Sequence, residues 1–383
     1  MCSVICASSS SPSGGIVAER STVDVIAISQ LPPPVHGSTI MTRTFLESCD
    51  KLGLVTSLVD RRFSTSVGEI GETSLRKLFA AFSLFTRLWR ALDRHRAASV
   101  VFFTTNRPPS FWMDVLLSLL LRAKRRDYIA YVHTSGYSEL AAMGRLQARG
   151  VRAMLAGARS VVVLGESMKD DVRGFNDVIQ VIPNTVGTVE PAGTQVHESP
   201  QLVYVSNLIP GKGAEDFMRI ADRCLTEVPT ARAVVIGGTS SPEYTNDLRA
   251  MLSPDSQARV RFAGPLFDAE RDDVVAASSV LVFPSSYRFE AQPLTLLEGL
   301  RLAVPVVAYD VGGIKDIVAD GVNGYLVTKN DWLASSDRCL AVLRSADLRR
   351  HLSAGARQTF DKRFSLVGYR RAWQSLLSGR APE

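Results

Sequence analysis

Short runs of β-branched and aromatic residues recur along the chain, and within each run nearly every position is apolar. The first half carries VDVIAISQ (23–30), VTSLVD (55–60), SVVFFTT (99–105), DYIAYVHT (127–134), SVVVLGE (160–166) and VIPNT (181–185). The second half carries QLVYVSN (201–207), RAVVIGG (232–238), ARVRFAG (258–264), SVLVFPSS (279–286), VPVVAYDVGG (304–313) and GYLVT (324–328). Continuous apolar runs, as opposed to alternating ones, predict strands buried on both faces of a parallel sheet. Helical stretches such as 75–96 and 212–227 separate them. Two sets of βα units predict an α/β protein with two Rossmann-like, doubly wound domains facing each other across a cleft. The stretch 186–200, VGTVEPAGTQVHESP, is rich in Pro, Gly and Thr and reads as the linker. The expected organisation is a disordered tail over 1–20, a first domain over 21–190 and a second over 191–365. A last helix at about 366–383 is expected to pack back on the first domain.

Composition narrows the class. The chain has 383 residues, 46% apolar and 21% charged, which suits two soluble domains. Its five cysteines are scattered and form no CxxC, which argues against a disulfide framework or zinc site and for a reducing, cytoplasmic setting. No apolar run reaches the ~18 residues that span a bilayer. The opening MCSVICASSSSPSGGIVAER lacks a basic region and reads as a tail, not a signal peptide.

The net charge of +6 is uneven: 61–126 holds 13 basic against 4 acidic residues. Such a face suits an anionic lipid, an acidic substrate or nucleic acid, or is simply solvated. No nucleic-acid module or aromatic platform accompanies it, so nucleic acid is set aside. Within it, SLRKLFAAFSLFTRLWRALDRHR (74–96) reads as a basic amphipathic helix. Leu78, Phe82, Phe85 and Trp89 recur at helical spacing, and Arg87, Arg90 and Arg94 are the candidates for its polar side. Two readings stay open: a helix facing the core, or one docking on an anionic membrane that carries a lipid-linked acceptor.

Chemistry concentrates in FPSSYRFEAQPLTLLEGLRLAVPVVAYDVGG (283–313). A strand ends near Pro284, a loop follows, and Pro293 fits the first position of a helix. The exposed N–H groups of Leu294 and Thr295, with the helix dipole, would suit a phosphate. Were the whole span helical, Glu290 and Glu298 would lie about 12 Å apart along the axis, a reach that suits an elongated ligand. In VSNLIPGKG (205–213), Lys212 stands between Gly211 and Gly213 and reads as the start of the next helix. A lysine there would neutralise a diphosphate leaving group; a simple turn lysine is the alternative.

The pattern E-A-Q-P-L-T-L-L-E-G, then A-V-P-V-V, then G-G-I-K-D-I-V-A-D-G-V-N-G resembles the donor-binding signature of family 4 glycosyltransferases, which have the GT-B fold. The resemblance covers about 25–370 and is firm over 201–328. It implies that Glu290 contacts the transferred sugar and Glu298 the ribose hydroxyls. The backbone around Gln292, Pro293 and Leu294 would face the diphosphate. Lys212 matches a family lysine on the pyrophosphate, while Asn207 stands where the family has Arg and Ser206 where it has Gly. Gln292-Pro293 replaces Phe-Gly, and Asp316 replaces Glu. The family places a Gly-containing loop where ISQLPPPVHGSTIMTRTF (28–45) carries Gly37, with His36 beside it. His133, in YVHTSGY, matches a histidine that faces the transferred sugar. FAGPL (262–266) matches a base-contacting segment, and VIPNTV (181–186) resembles a PNG turn with Thr185 in place of Gly. IGGTSSPEY (236–244) is a weaker candidate loop.

The resemblance implies a retaining enzyme that moves a hexose-type sugar from a nucleotide-diphosphate sugar to a hydroxyl of a glycan or lipid-linked acceptor. No cofactor and no metal site is expected, since no DxD-type motif lies in the strand-end loops. A sugar-nucleotide epimerase or phosphorylase on the same scaffold, and a non-catalytic nucleotide-sugar-binding protein, remain the rival readings.

Overall fold

The computed structural model describes residues 22–33, 35–61, 75–187, 200–239 and 241–379. The expected tail and most of the expected linker lie outside these residues. All twelve apolar runs contain or adjoin a strand. β1 (Val25–Ser29), β2 (Thr56–Asp60), β3 (Ser99–Thr104), β4 (Tyr128–Val132), β5 (Ser160–Val163) and β6 (Ile179–Val181) form one sheet. β7 (Gln201–Val205), β8 (Arg232–Ile236), β9 (Val260–Gly264), β10 (Val280–Phe283), β11 (Val306–Tyr309) and β12 (Gly324–Val327) form the other. Every pairing is parallel. β1, β4, β5, β10 and β11 are buried along their whole length, which is why their sequences do not alternate.

The sixth run is shifted. VIPNT suggests a strand over 181–185, but β6 ends at Val181. Pro183 has no N–H to offer a ladder, so pairing with Val161–Val163 is made by Ile179–Val181 instead.

The first sheet runs β2-β1-β3-β4-β5-β6 and the second β12-β11-β10-β7-β8-β9. Strand order therefore reverses between β1 and β3 in the first, and between β7 and β10 in the second. Crossovers leaving two such neighbours travel in opposite directions. Their loops diverge and open a crevice at the C-terminal strand ends.

Two compact units result. Of the described residues, one takes those up to Leu164, Met168–Ile182 and those from Arg370 onward; the other takes Gly165–Ser167 and those within Pro183–Tyr369. The last helix, Leu366–Ser378, thus delivers its second half to the first unit. There Trp373 is fully buried, its ring 4.8 Å from Phe45 and 4.9 Å from Tyr131 in edge-to-face contacts.

The helix Leu75–Arg94 corrects the apolar stripe read from sequence. Leu84, Leu88, Ala91 and Leu92 are buried, whereas Phe82 and Trp89 face solvent together with Phe79. Both stripes are apolar and both have helical spacing; the aliphatic one packs inward. The side chain of Leu78 lies outside the described residues.

Replacing Trp373 by Ala removes the aromatic plug between the helix Gly37–Lys51 and β4. The expected cost is about 3–5 kcal/mol, read from urea unfolding. A loss below about 1 kcal/mol would show that the C-terminal segment does not complete this core.

Candidate active site

The loops after β7 and β10, which flank the strand-order reversal of the second unit, touch at their bases: the Ser286 N–H bonds the Gly211 carbonyl at 3.2 Å. Gly213 brings them together. Its φ of +88° is left-handed, and a Cβ on it would stand 2.1 Å from the carbonyl oxygen of Pro284. No other residue fits both conditions. The same left-handed turn ends the loop, so the next helix starts at Ala214 (Ala214–Glu227) and not at Lys212. Lys212 instead sits in the turn, its carbonyl accepting a hydrogen bond of 3.0 Å from the buried Tyr204 hydroxyl.

From that turn Lys212 reaches across. Its Nζ lies 2.5 Å from Glu290 Oε1 and 4.1 Å from the centre of the Tyr287 ring. Glu290 is buried, and its Oε1 also accepts from the Ser285 hydroxyl at 3.0 Å. Two candidates read separately in the sequence are therefore one ion pair. The pair is partly covered, with side-chain exposures of 20% and 9%, so each charge depends on the other for stabilisation. Ser285 and Tyr287 are site residues that the sequence motif alone did not single out.

Glu290 is not helical. It lies in a turn, its N–H bonding the Tyr287 carbonyl at 3.2 Å. The helix covers only Leu294–Arg301, with Pro293 as its N-cap (φ −61°, ψ 123°) and not its first turn residue. The twelve-ångström axial separation expected for a continuous helix does not apply. What survives is the helix start itself: Pro293 offers no capping side chain, so the first N–H groups, of Leu294 and Thr295, receive no side-chain cap. Gln292 supports this start from behind. Its side-chain oxygen accepts from the Asn184 N–H at 2.5 Å, and its carbonyl accepts from Asn184 Nδ2 at 3.1 Å. Asn207 is exposed after β7, beside the Gly237–Gly238 turn.

Glu298 lies on the helix and belongs to an ionic cluster. Arg271, on the helix Asp268–Ala276, bonds it at 2.9 Å, and Arg301 bonds Asp272 at 2.7 Å. Burial raises the Glu298 pKa, while Arg271 and then Arg301 pull it back. Arg271 was not singled out from sequence. It sits in a helix of mixed charges, where nothing local distinguishes it. Asp316, the shortened replacement for Glu, accepts from the Ser167 hydroxyl at 2.5 Å and from its N–H at 3.1 Å within the same unit.

In the first unit, Gly37 opens the helix Gly37–Lys51, and His36 precedes it as N-cap. Thr39 closes that cap: its Oγ1 donates to the His36 carbonyl at 2.9 Å and accepts the His36 N–H at 3.1 Å. His133 directly follows β4. Its ring stacks on Phe103 at 5.1 Å and lies edge-on to Tyr131 at 4.1 Å. Burial, with Arg61 adding a smaller push, lowers its pKa to about 3, so the imidazole is neutral. Its Nε2 is buried and makes no hydrogen bond within the described residues.

Among the described residues, no group of three or more His, Cys, Asp or Glu side chains forms a metal-binding cluster, and no helix is long and apolar enough to cross a membrane.

Comparison with known proteins bears on this arrangement. The family model described as "Glycosyl transferases group 1" matches residues 190–359, and "Glycosyltransferase Family 4" matches 56–190. The chain is similar to N-acetyl-alpha-D-glucosaminyl L-malate synthase of Bacillus anthracis, at 26% identity over 43% of this chain and 41% of that protein. The chain thus matches less than half of that curated relative's length. Among solved structures, sucrose-phosphate synthase from Thermosynechococcus elongatus superposes with a TM-score of 0.74 at 18% identity, covering 93% of this chain and 98% of that one. Anabaena Alr3699/HepE in complex with UDP superposes with a TM-score of 0.71 at 15% identity, covering 93% and 100%. At such identities the likeness speaks to fold. The two family models adjoin and together run from β2 to the helix Ala346–Thr359, and the sheets match GT-B structures. The chain belongs to the family 4 glycosyltransferases of the GT-B fold.

Proposed function

We propose that the protein is a retaining glycosyltransferase that takes a hexose-type sugar from a nucleotide-diphosphate sugar and places it on a hydroxyl of a glycan or lipid-linked acceptor. The observation that carries this reading is the Lys212–Glu290 pair beside the uncapped start of the helix Leu294–Arg301. A cation and a helix N-terminus at one strand-order switch suit a diphosphate. Glu290 would hold the sugar, Glu298 the ribose, and Lys212 with the amides of Leu294 and its neighbours the leaving diphosphate. In the reaction the anomeric carbon–oxygen bond breaks, and its electron pair stays on the diphosphate. The acceptor oxygen bonds the same face, and its proton passes to the diphosphate. Lys212 and the helix start stabilise the charge that develops on the leaving group. His133 and the Gly37 loop carry the sugar- and donor-side roles that the family resemblance gives them. Asn207 would meet the diphosphate as a neutral hydrogen-bonding group in place of Arg. Anabaena Alr3699/HepE, solved with UDP, supports a nucleotide donor. Cys49, Cys224 and Cys339 are buried and unbridged, which supports a reducing, cytoplasmic setting.

We further propose that the helix Leu75–Arg94 docks on an anionic membrane. Phe79, Phe82 and Trp89 are 72%, 69% and 50% exposed, and Arg90 and Arg94 share the exposed side. Aromatic rings with flanking cations suit an anionic lipid interface.

Replacing Lys212 by Ala should lower kcat about 100- to 1,000-fold, the usual cost of losing one stabiliser of developing charge. Glu290→Ala should mainly lower turnover, and Glu298→Ala should mainly weaken donor binding. Donor titration by calorimetry and assay of nucleotide release check this. Wild-type behaviour of both Glu variants would reject the site, and donor binding without turnover on any acceptor would identify a binding protein instead. For the membrane face, the protein should sediment with phosphatidylglycerol vesicles at low salt and not with phosphatidylcholine vesicles. Changing Arg87, Arg90 and Arg94 to Gln should weaken that binding roughly 100-fold, at about 1 kcal/mol per cation.

A further inference from the structure

The first unit has its own strand-order switch, between β1 and β3. The loops that diverge there carry His36 and Gly37 after β1, and Asn106 and Arg107 after β3. β2 lies on the other side of β1 and delivers Arg61 immediately past its last residue. Two guanidinium groups therefore share one sheet edge, at the position where open α/β sheets receive ligands.

Arg61 is held firmly. It ion-pairs with the buried Asp114, its guanidinium carbon stands 5.8 Å from the centre of the Phe102 ring, and its N–H bonds the Ser29 carbonyl at 3.0 Å. Asp114 in turn accepts the Thr105 N–H at 2.9 Å, which fixes the β3 loop that presents Arg107. Arg107 itself is exposed. The His36 pKa is lowered by desolvation, then by Arg107 and Arg61, and that of His133 by burial and then Arg61, so both arginines act on the residues of this edge.

Two polar atoms at the same strand ends also lack a partner among the described residues. Asn106 is 2% exposed, and its Nδ2 donates to the Ser135 carbonyl at 2.7 Å, but its Oδ1 is buried without a donor. His133 Nε2, at the end of the neighbouring β4, is likewise unpaired. Buried polar atoms of this kind cost stability unless water or a ligand completes them.

We propose that this edge binds an acceptor that bears both an anionic group, phosphate or carboxylate, and hydroxyls. Arg107 and Arg61 take the anion through charge-assisted hydrogen bonds. Asn106 Oδ1 accepts from a hydroxyl of the acceptor, and Asp114 acts as a positioning residue that keeps Arg61 and the β3 loop in place. The assignment rests on the transferase reading above and specifies its acceptor class. The anion has two sources, a soluble sugar or polyol phosphate and a phosphate-bearing lipid headgroup.

The test uses matched pairs on the whole protein: glucose against glucose 1-phosphate, myo-inositol against myo-inositol 1-phosphate, and phosphatidylcholine vesicles with and without phosphatidylinositol. Binding is read by calorimetry or sedimentation, with UDP as a separate donor-side probe. The charged member should bind at least about tenfold more tightly in one or more pairs, the scale of one charge-assisted hydrogen bond. The pair that shows it identifies the soluble or the lipid source. Arg107→Ala, at an exposed position, should abolish the preference. Arg61→Lys, which keeps a cation against Asp114, should reduce it. UDP affinity should stay unchanged in both variants. The assignment is overturned if no pair shows a preference, if the preference survives Arg107→Ala, or if UDP affinity falls with it, since these cations would then serve the donor. Intact UDP binding and turnover with an uncharged acceptor would leave the transferase reading standing while the anionic acceptor fails.

Discussion

A lysine and a glutamate 78 residues apart in sequence meet because the second sheet reverses its strand order between β7 and β10. That pair organises the site. Lys212 is drawn off its turn toward β10, Glu290 is turned inward from its loop, and Ser285 and Tyr287 complete the surroundings. The contact requires the two loops to touch, and the left-handed Gly213 against the Pro284 carbonyl is what permits it. A partly covered ion pair is poor evidence of net stability, since desolvation offsets much of the attraction. It is better understood as a device that fixes two opposite charges at a defined separation.

The two units use one construction for different ends. Each has six parallel strands, a single reversal of order, and charged groups on the loops flanking it. In the second unit the reversal holds an ion pair beside a helix start. In the first, two arginines, one of them anchored by a buried carboxylate, share the strand ends with buried polar atoms that lack partners among the described residues. The transfer we propose would ask for both kinds of surface: one that stabilises a departing diphosphate, and one that orients an incoming hydroxyl.

The strands were legible because burial on both faces leaves an unmistakable run of apolar residues, as in VIAIS and VLVF. The candidate residues of the site stand out in the sequence, but their geometry does not. Glu290, Glu298 and Lys212 stand out through spacing and glycine context, yet the sequence sets Lys212 at the start of a helix that begins only at Ala214, and it sizes the Glu290–Glu298 separation only by supposing one continuous helix, where the helix begins at Leu294. A left-handed glycine at 213 and an extended Pro293 decide those starts, and neither conformation is encoded in hydrophobic period. Arg271 could not be found locally, because its partner Glu298 belongs to another helix. The helix Leu75–Arg94 shows the same limit from the other side. Two apolar stripes satisfy one period, and only the packing of Leu84 and Leu88 against the sheet selects between them.

The return of the chain to the first unit has a consequence for biosynthesis. Trp373 fills a gap between Phe45 and Tyr131, so the core of the earlier unit stays open on the ribosome until residues beyond 370 emerge. The second unit, contained almost wholly within 183–369, is continuous and waits only for its own last residues. Translation order and folding order are thereby decoupled: the part made first is finished last, and a nascent chain exposes an aromatic hollow for most of its synthesis.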